Sequence, residues 1–403
     1  MNLPGEWDAE NAGSATTNAP KTAAVRPLDG LIVLDMAQFL AGPSAALQLG
    51  DMGARVIKIE RPGAGDLCRD LYLTDTKIDG ESTLFHAINR NKESFAADLK
   101  NGGDIAAVRK LIAHADVLIQ NFRPGVIERL GLGYEAVRHI NPRLVYASVS
   151  GFGSKGPWAK LPGQDLLAQA RSGVMWLTGS AGDGPVPIGL SIADMLAGHV
   201  LAKGVLAGLV RRGISGIGMQ VETSLLEVLV DFQFELLTTY LNDGRRPPER
   251  AATHGANAYL AAPYGVYQTA DGYLAIAMTP LSVLERLIEL PGLAGVVDGF
   301  AARDTLLRMI AQRLLERGTA AWLDILEPAG VWAAEVLDWP AMLEAESFRA
   351  LQLIQTITSG ATSLTTTASP LRFNGIRPTQ PRGAPAVGEH NASLRREFDL
   401  DHA

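Results

Sequence analysis

The sequence predicts an α/β protein with a Rossmann-like large domain on a mostly parallel sheet, followed by a smaller α+β domain. Three observations carry this. Short apolar runs alternate with helix-periodic segments through the first half of the chain. Turn and helix-stop residues fall between them. The 403-residue length exceeds one ordinary core, so a second, smaller domain is expected.

The elements follow in order. Leu31-Ile-Val-Leu comes after the turn pair Asp29-Gly30, and Arg55-Val-Ile-Lys-Ile follows Gly53; both read as buried strands. Between them, Gly42-Pro43 opens a helix over 44–53 that stops at a glycine, completing a β-α-β unit. The pattern repeats with a helix at 104–113, a strand at Asp116-Val-Leu-Ile-Gln, a helix beginning at 126–130 and a strand at Leu144-Val-Tyr-Ala-Ser-Val-Ser. In such a sheet, ligands lie outside the carboxyl ends of the strands, so the loops there are where chemistry is expected. A helix spans 192–210, Gly213, Gly216 and Gly218 interrupt, and 221–241 reads as a further long apolar-periodic stretch.

Arg245-Arg-Pro-Pro-Glu-Arg reads as a linker. Beyond it come a strand pair at 264–267 and 273–277, helices at 281–290 and 305–317, and an extended Pro- and Gly-rich tract from Pro370 to His390. The expected organisation is a flexible tail at 1–24, a large domain at 25–222, a linker helix and small domain at 223–345, and a return segment to the large domain at 346–403.

A formal charge of −7 leaves no electrostatic footprint for nucleic acid or an anionic membrane surface. A lone Cys68 excludes an internal disulfide and a cysteine-based metal site, which suits a reducing compartment; a cytoplasmic setting is expected. The tail lacks the apolar core of a secretory signal. The longest apolar candidate, 195–210, contains His199 and Lys203 and falls short of the roughly 18–20 residues a bilayer requires.

Phosphate-loop, nucleophile-elbow and metalloprotease motifs are missing, which removes most weight from hydrolase readings. Gly151 and Gly153 follow a strand without a nicotinamide fingerprint. Cations gather in the loops of the first half, at Lys58, Arg61, Arg69, Arg90, Lys92, Lys100, Arg123 and Arg129, where they suit either a solvated surface or a phosphate-rich ligand. Two acids stand out. Asp165, before an apolar helical stretch, is placed to cap it, and Asp183-Gly184 in a glycine-rich segment makes a common turn.

The order of Pro27-Leu-Asp-Gly-Leu-Ile-Val-Leu-Asp, Ala41-Gly-Pro, Gly53-Ala-Arg-Val-Ile-Lys-Ile-Glu-Arg-Pro, Asn89-Arg-Asn-Lys, Asp98-Leu-Lys, Asn121-Phe-Arg-Pro-Gly and Gly388-Glu-His resembles the class III CoA-transferases. These include formyl-CoA transferases and the carnitine and bile-acid CoA-transferases, and the resemblance runs from Pro27 to about Leu400.

It implies exchange of coenzyme A between an acyl-CoA and a carboxylic acid acceptor, with CoA thioesters as substrates and no permanently bound cofactor or metal. It further implies an interlocked homodimer and a nucleophilic aspartate in a Thr-Gly-x-x-Asp-Gly-Pro-like segment, here Asp183. It places CoA against Leu40, Ala41, Arg61, Ala97, Asp98, Leu99, Lys100, Asn121, Phe122, Arg129, Ser150, Gly151, Phe152 and Gly153. Where formyl-CoA transferases carry Gln and Lys, this chain has Leu40 and Ser150, and 255–264 replaces their glycine run. The apolar stretch 259–264 brings no added cation, which suits a larger or less charged acid than oxalate.

Two rivals remain at this stage. An α-methylacyl-CoA racemase would exchange a proton beside the thioester, but Gln164 stands where the racemases resembled here carry His; Asp194 matches their other acid and also suits a helix start. A non-catalytic CoA-binding protein on the same fold is the other.

Overall fold

The structure, a computed structural model, describes residues 26–401 apart from 74, 297, 360, 361, 380 and 381; the expected tail at 1–24 lies outside the described residues. Six parallel strands form the central sheet, in the spatial order Lys92–Ala96, Arg55–Glu60, Ile32–Asp35, Val117–Gln120, Val145–Ser150 and Gln220–Ser224. Numbered along the chain this is 3-2-1-4-5-6. The order reverses between Ile32–Asp35 and Val117–Gln120, and a crevice opens at the carboxyl ends of those two strands.

Val33, Leu34, Ile57, Val117, Leu118 and Val145 are fully buried because both faces of the sheet are covered, which is why the inner strands read as apolar runs rather than as alternation. On one face pack the helices Ala41–Asp51 and Ile192–Ser215; on the other lie Gly102–His114, Tyr134–Ile140 and the last helix, Asn391–Glu397. Each fully buried leucine in these layers, such as Leu49, Leu111 or Leu201, contributes about 1.5–3 kcal/mol.

Helix Ala41–Asp51 begins three residues before its expected start, taking Gly42 and Pro43 into its first turn, where a missing N–H costs nothing. The two helices on this face meet at Gly198, where a Cβ would sit 2.0 Å from the Ser44 Oγ and 3.1 Å from the Ala41 carbonyl oxygen. Helix Ile192–Ser215 runs past Gly213, which sequence had made an interruption, and stops at Gly216 with φ +74°. By length and composition it is long enough to cross a membrane, but Ala193, Ala197, Leu201 and Val205 are buried in the core beneath the sheet.

Two strands of the central sheet escaped the sequence reading. Lys92–Ala96 carries Lys, Glu and Ser, whose burial comes from ion pairs and hydrogen bonds and leaves no apolar signal. Gln220–Ser224 was absorbed into a long helical stretch; in the structure it ends at Ser224, whose Oγ accepts from Glu227 N at 3.2 Å and donates to Glu227 Oε2 at 2.6 Å. That Ser-x-x-Glu capping box was the available signal, and helices Leu225–Phe232 and Phe234–Asn242 follow it.

A second core lies between Ala251 and Val331, with Tyr267 and Trp322 fully buried. Its sheet is antiparallel, in the order Ala333–Glu335, Tyr273–Ile276, Gly265–Gln268, and the helices Leu281–Leu287, Arg303–Leu314 and Thr319–Leu326 accompany it. The hairpin of Ile354–Ser359 and Thr362–Thr367 was also missed, because its threonine-rich run lacks apolar alternation. The chain then returns to the parallel sheet: Asn391 Oδ1 accepts from Ala96 N at 2.8 Å, His390 N donates to Ser94 O at 3.1 Å, and Leu394 is fully buried.

Candidate active site

The strand ends are held by a buried ion-pair network. Lys92 Nζ lies 2.8 Å from Asp35 Oδ2 and donates to Pro43 O and Asn89 Oδ1, each at 2.9 Å. Lys58 Nζ lies 2.8 Å from Asp66 Oδ2 and donates to Ala37 O at 2.8 Å. Asp35 Oδ1 accepts from Ala37 N at 3.0 Å, and Asp66 Oδ1 from Phe39 N at 3.1 Å. Asp35, Lys58 and Asp66 thereby grip the backbone of residues 37–39, and Lys92 holds Asp35 in place. Burial pushes the Lys92 ammonium down to about 8 against the pull of Asp35. Burial also opposes the charge on Asp35, yet Lys58 and Lys92 hold its carboxyl below the usual range.

This corrects part of the expected cation cluster. Lys58 and Lys92 are internal counter-ions. Arg69 is buried and paired with Glu60 and Glu81, each at 2.7 Å, and Arg90 lies 2.7 Å from Asp51. Arg61, Lys100, Arg123 and Arg129 remain exposed.

Two hollows flank the gripped loop at the crevice. The first, of about 220 Å³, is lined by Ala37, Arg61, residues 97–100, Phe122 and Leu130. The second, of about 430 Å³, is lined by Leu40, Ala41, Asn121, Ser150, Gly151, Asp165 and Asp194 among others. A two-way clasp stands between them, with Asn121 Oδ1 accepting from Gln38 N at 2.9 Å and Asn121 Nδ2 donating to Gln38 O at 2.7 Å. The cleft floor depends on close backbone approach: a Cβ on Gly151 would lie 2.4 Å from the Gly163 Cα.

Ala97, Asp98, Leu99, Lys100, Arg61 and Phe122 thus gather in one hollow, and Leu40, Ala41, Asn121, Ser150 and Gly151 in the other. Three expected contacts line neither. Phe152 is buried edge-on against Trp158, with ring centroids 6.2 Å apart, and Arg171 lies over it at 5.0 Å. Gly153 donates its N–H to Ser150 Oγ at 3.0 Å and faces a neighbouring polar hollow with Glu222 and Glu227. Arg129 is exposed at the end of the short helix Val126–Arg129, whose Val126 lines the first hollow.

Three aspartates have distinct settings. Asp183 is exposed on a turn, its Oδ2 accepting from Ser180 N at 2.7 Å, and it lines neither hollow. Arg250 ties that turn to the second core's leading segment by donating to the carbonyls of Thr178 at 2.6 Å, Asp183 at 2.6 Å and Gly184 at 3.0 Å. The glycine-rich segment therefore has a complete structural explanation as an anchored turn.

Asp165 is buried, but it does not cap its own helix, Asp165–Ser172, which begins after Gln164. Its Oδ1 instead accepts from Ala193 N at 2.7 Å and Asp194 N at 3.2 Å, capping the long helix 28 residues later, and its Oδ2 accepts from Gln169 Nε2 at 2.7 Å. Asp194, half-buried in the first turn of that helix, lines the cleft, and its carboxylate has no hydrogen bond or ion pair with the described residues. Burial, and then the negative charge of Asp165, push its carboxyl up to about 7. The sequence marks Asp194 as a counterpart of a racemase acid and as a helix start; its place beside Asp165 follows from packing.

Among the described residues, no group of three or more His, Cys, Asp or Glu is arranged to hold a metal ion.

A model of CoA-transferase family III matches residues 28–391. The chain belongs to that family. It is 34% identical over 388 residues to an acetyl-CoA:oxalate CoA-transferase of Acetobacter aceti, covering 94% of this chain and 97% of that protein. It is 30% identical to a succinyl-CoA:glutarate CoA-transferase of Mus musculus, covering 93% and 86% respectively. Among solved structures, a CAIB/BAIF family protein from Brucella suis matches with a TM-score of 0.79 and 30% identity, over 93% of this chain and 99% of that one. An aspartate-to-alanine mutant of Rv3272 from Mycobacterium tuberculosis matches with the same score and identity, over 92% and 99%. The chain is accordingly a class III CoA-transferase, an enzyme whose substrates are CoA thioesters.

Proposed function

We propose that this enzyme moves coenzyme A from an acyl-CoA to a carboxylic acid through a covalent intermediate on Asp194. One observation carries the assignment to Asp194 over Asp183: it is the cleft carboxylate with no hydrogen-bond partner among the described residues, whereas Asp165 has both oxygens engaged and Asp183 lies outside the cleft. Its raised pKa makes it more basic, hence more nucleophilic once ionised.

The Asp194 carboxylate attacks the thioester carbonyl, the C–S bond breaks, and a mixed anhydride and CoA thiolate result. The thiolate then attacks the aspartyl carbonyl, releasing the donor acid as a carboxylate and leaving an aspartyl-CoA thioester. The acceptor carboxylate repeats the sequence in reverse and restores Asp194. The hollow holding Arg61, Lys100 and Phe122 suits the phosphates and base of CoA, and the Leu40, Ala41 and Asn121 wall suits its arm leading to Asp194.

Proton exchange of the racemase kind needs a second acid-base group across the substrate, and the other titratable residue lining the cleft, Asp165, is held as a cap. The exposed apolar Phe232, Phe234 and Leu241 support the homodimer that the family resemblance implies, and the free, buried Cys68 supports a reducing, cytoplasmic setting.

The test is incubation with an acyl-CoA donor, trapping by hydroxylamine or borohydride, and location of the modified residue by peptide mass spectrometry. The expected adduct sits on Asp194 and disappears in Asp194→Asn but persists in Asp183→Asn. An adduct on Asp183 would reverse the assignment.

A further inference from the structure

We infer that the acyl subsite of this cleft takes acids with an apolar tail and a single carboxyl group, and discriminates against dicarboxylic acids and their CoA esters. The inference rests on the transferase reading of the same cleft. Phe39, Leu40, Leu71, Leu73 and Leu84 all line the cleft that holds Asp194, and none of its described lining residues is Lys, Arg or His.

The nearby cations are already committed. Arg69 is bonded to Glu60 and Glu81, and Lys58 and Lys92 to Asp66 and Asp35. Arg61 and Lys100 lie in the other hollow, beyond the Gln38–Asn121 clasp. A second carboxylate on the acyl group would enter an apolar wall beside Asp165 and Asp194, with no opposite charge to offset its desolvation. An alkyl tail of the same length would bury its methylenes there. Relatives named for oxalate and glutarate match this chain along most of its length, so the discrimination would reside in these side chains.

The experiment compares pentanoyl-CoA with glutaryl-CoA, which have equal chain length and differ by the terminal carboxylate. Single-turnover formation of the Asp194 adduct is followed in the full-length protein. The expected second-order rate constant is at least about 100-fold higher for pentanoyl-CoA, in line with the cost of an uncompensated buried charge. Leu71→Arg, which supplies the missing cation, is expected to raise the glutaryl to pentanoyl ratio at least about tenfold. Equal rates, or preference for glutaryl-CoA, in the wild-type protein overturn the inference while leaving the transferase reading intact, and that comparison does not depend on the variant folding. Absence of an Asp194 adduct with both donors removes the assignment of the intermediate to Asp194 and this inference with it.

Discussion

Replacing Asp194 by Asn separates its chemical role from its energetic cost. In the unfolded chain the carboxyl ionises at 3.8, and in the folded protein at about 7, so between those values the folded state holds a proton that the unfolded state has lost. Stability therefore falls as pH rises from about 4 to about 7, and the penalty is complete above 7. A shift of about three units, at 1.36 kcal/mol each, sets a ceiling of about 4 kcal/mol. The carboxylate is only half-buried, so solvent screening brings this to about 2 kcal/mol. Asn mimics the protonated acid at every pH. Urea unfolding should show Asp194→Asn more stable than wild type by about 1 kcal/mol at pH 5 and about 2 kcal/mol at pH 8, while transfer activity drops by about 10⁴-fold or more. A stability difference that does not grow with pH would refute the reasoning.

Gly163→Ala should cost about 1–3 kcal/mol in thermal unfolding, because its Cβ would lie 2.4 Å from the Gly151 Cα, and displacement of the cleft floor should lower kcat/KM by about 100-fold. Lys92→Met leaves the fully buried Asp35 with Lys58 as its sole cation at 3.6 Å; a loss of about 3–5 kcal/mol in urea unfolding is expected, with a raised KM for acyl-CoA as residues 37–39 loosen.

The four inner strands of the first half were legible because strands buried on both faces must be apolar throughout, as Ile32-Val-Leu and Val117-Leu-Ile are. The edge strands were not, since Lys92-Glu-Ser is buried through partners distant in sequence, Asp35, Arg55 and Glu60. Most of the residues that the family resemblance assigned to CoA do line the two hollows, because they sit in loops at strand carboxyl ends, which are set by the strands that deliver them. Phe152 departed because its ring faces Trp158 and Arg171 instead of the cleft, an orientation no spacing reveals.

By itself the sequence determined the α/β class and the family resemblance, which depend on short-range periodicity and motif order, and placed the loops to examine at the strand carboxyl ends. Only the tertiary structure decided which aspartate those loops surround. Asp183 and Asp194 are 11 positions apart and both have good local reasons to exist, one as a turn and one as a helix start. Arg250 draws the first onto the surface through three carbonyls, while Asp165, reaching across 28 residues to cap the long helix, sets the second in the cleft beside a like charge. Desolvation and charge repulsion act through space, and the distances that govern them exist only once the chain has packed.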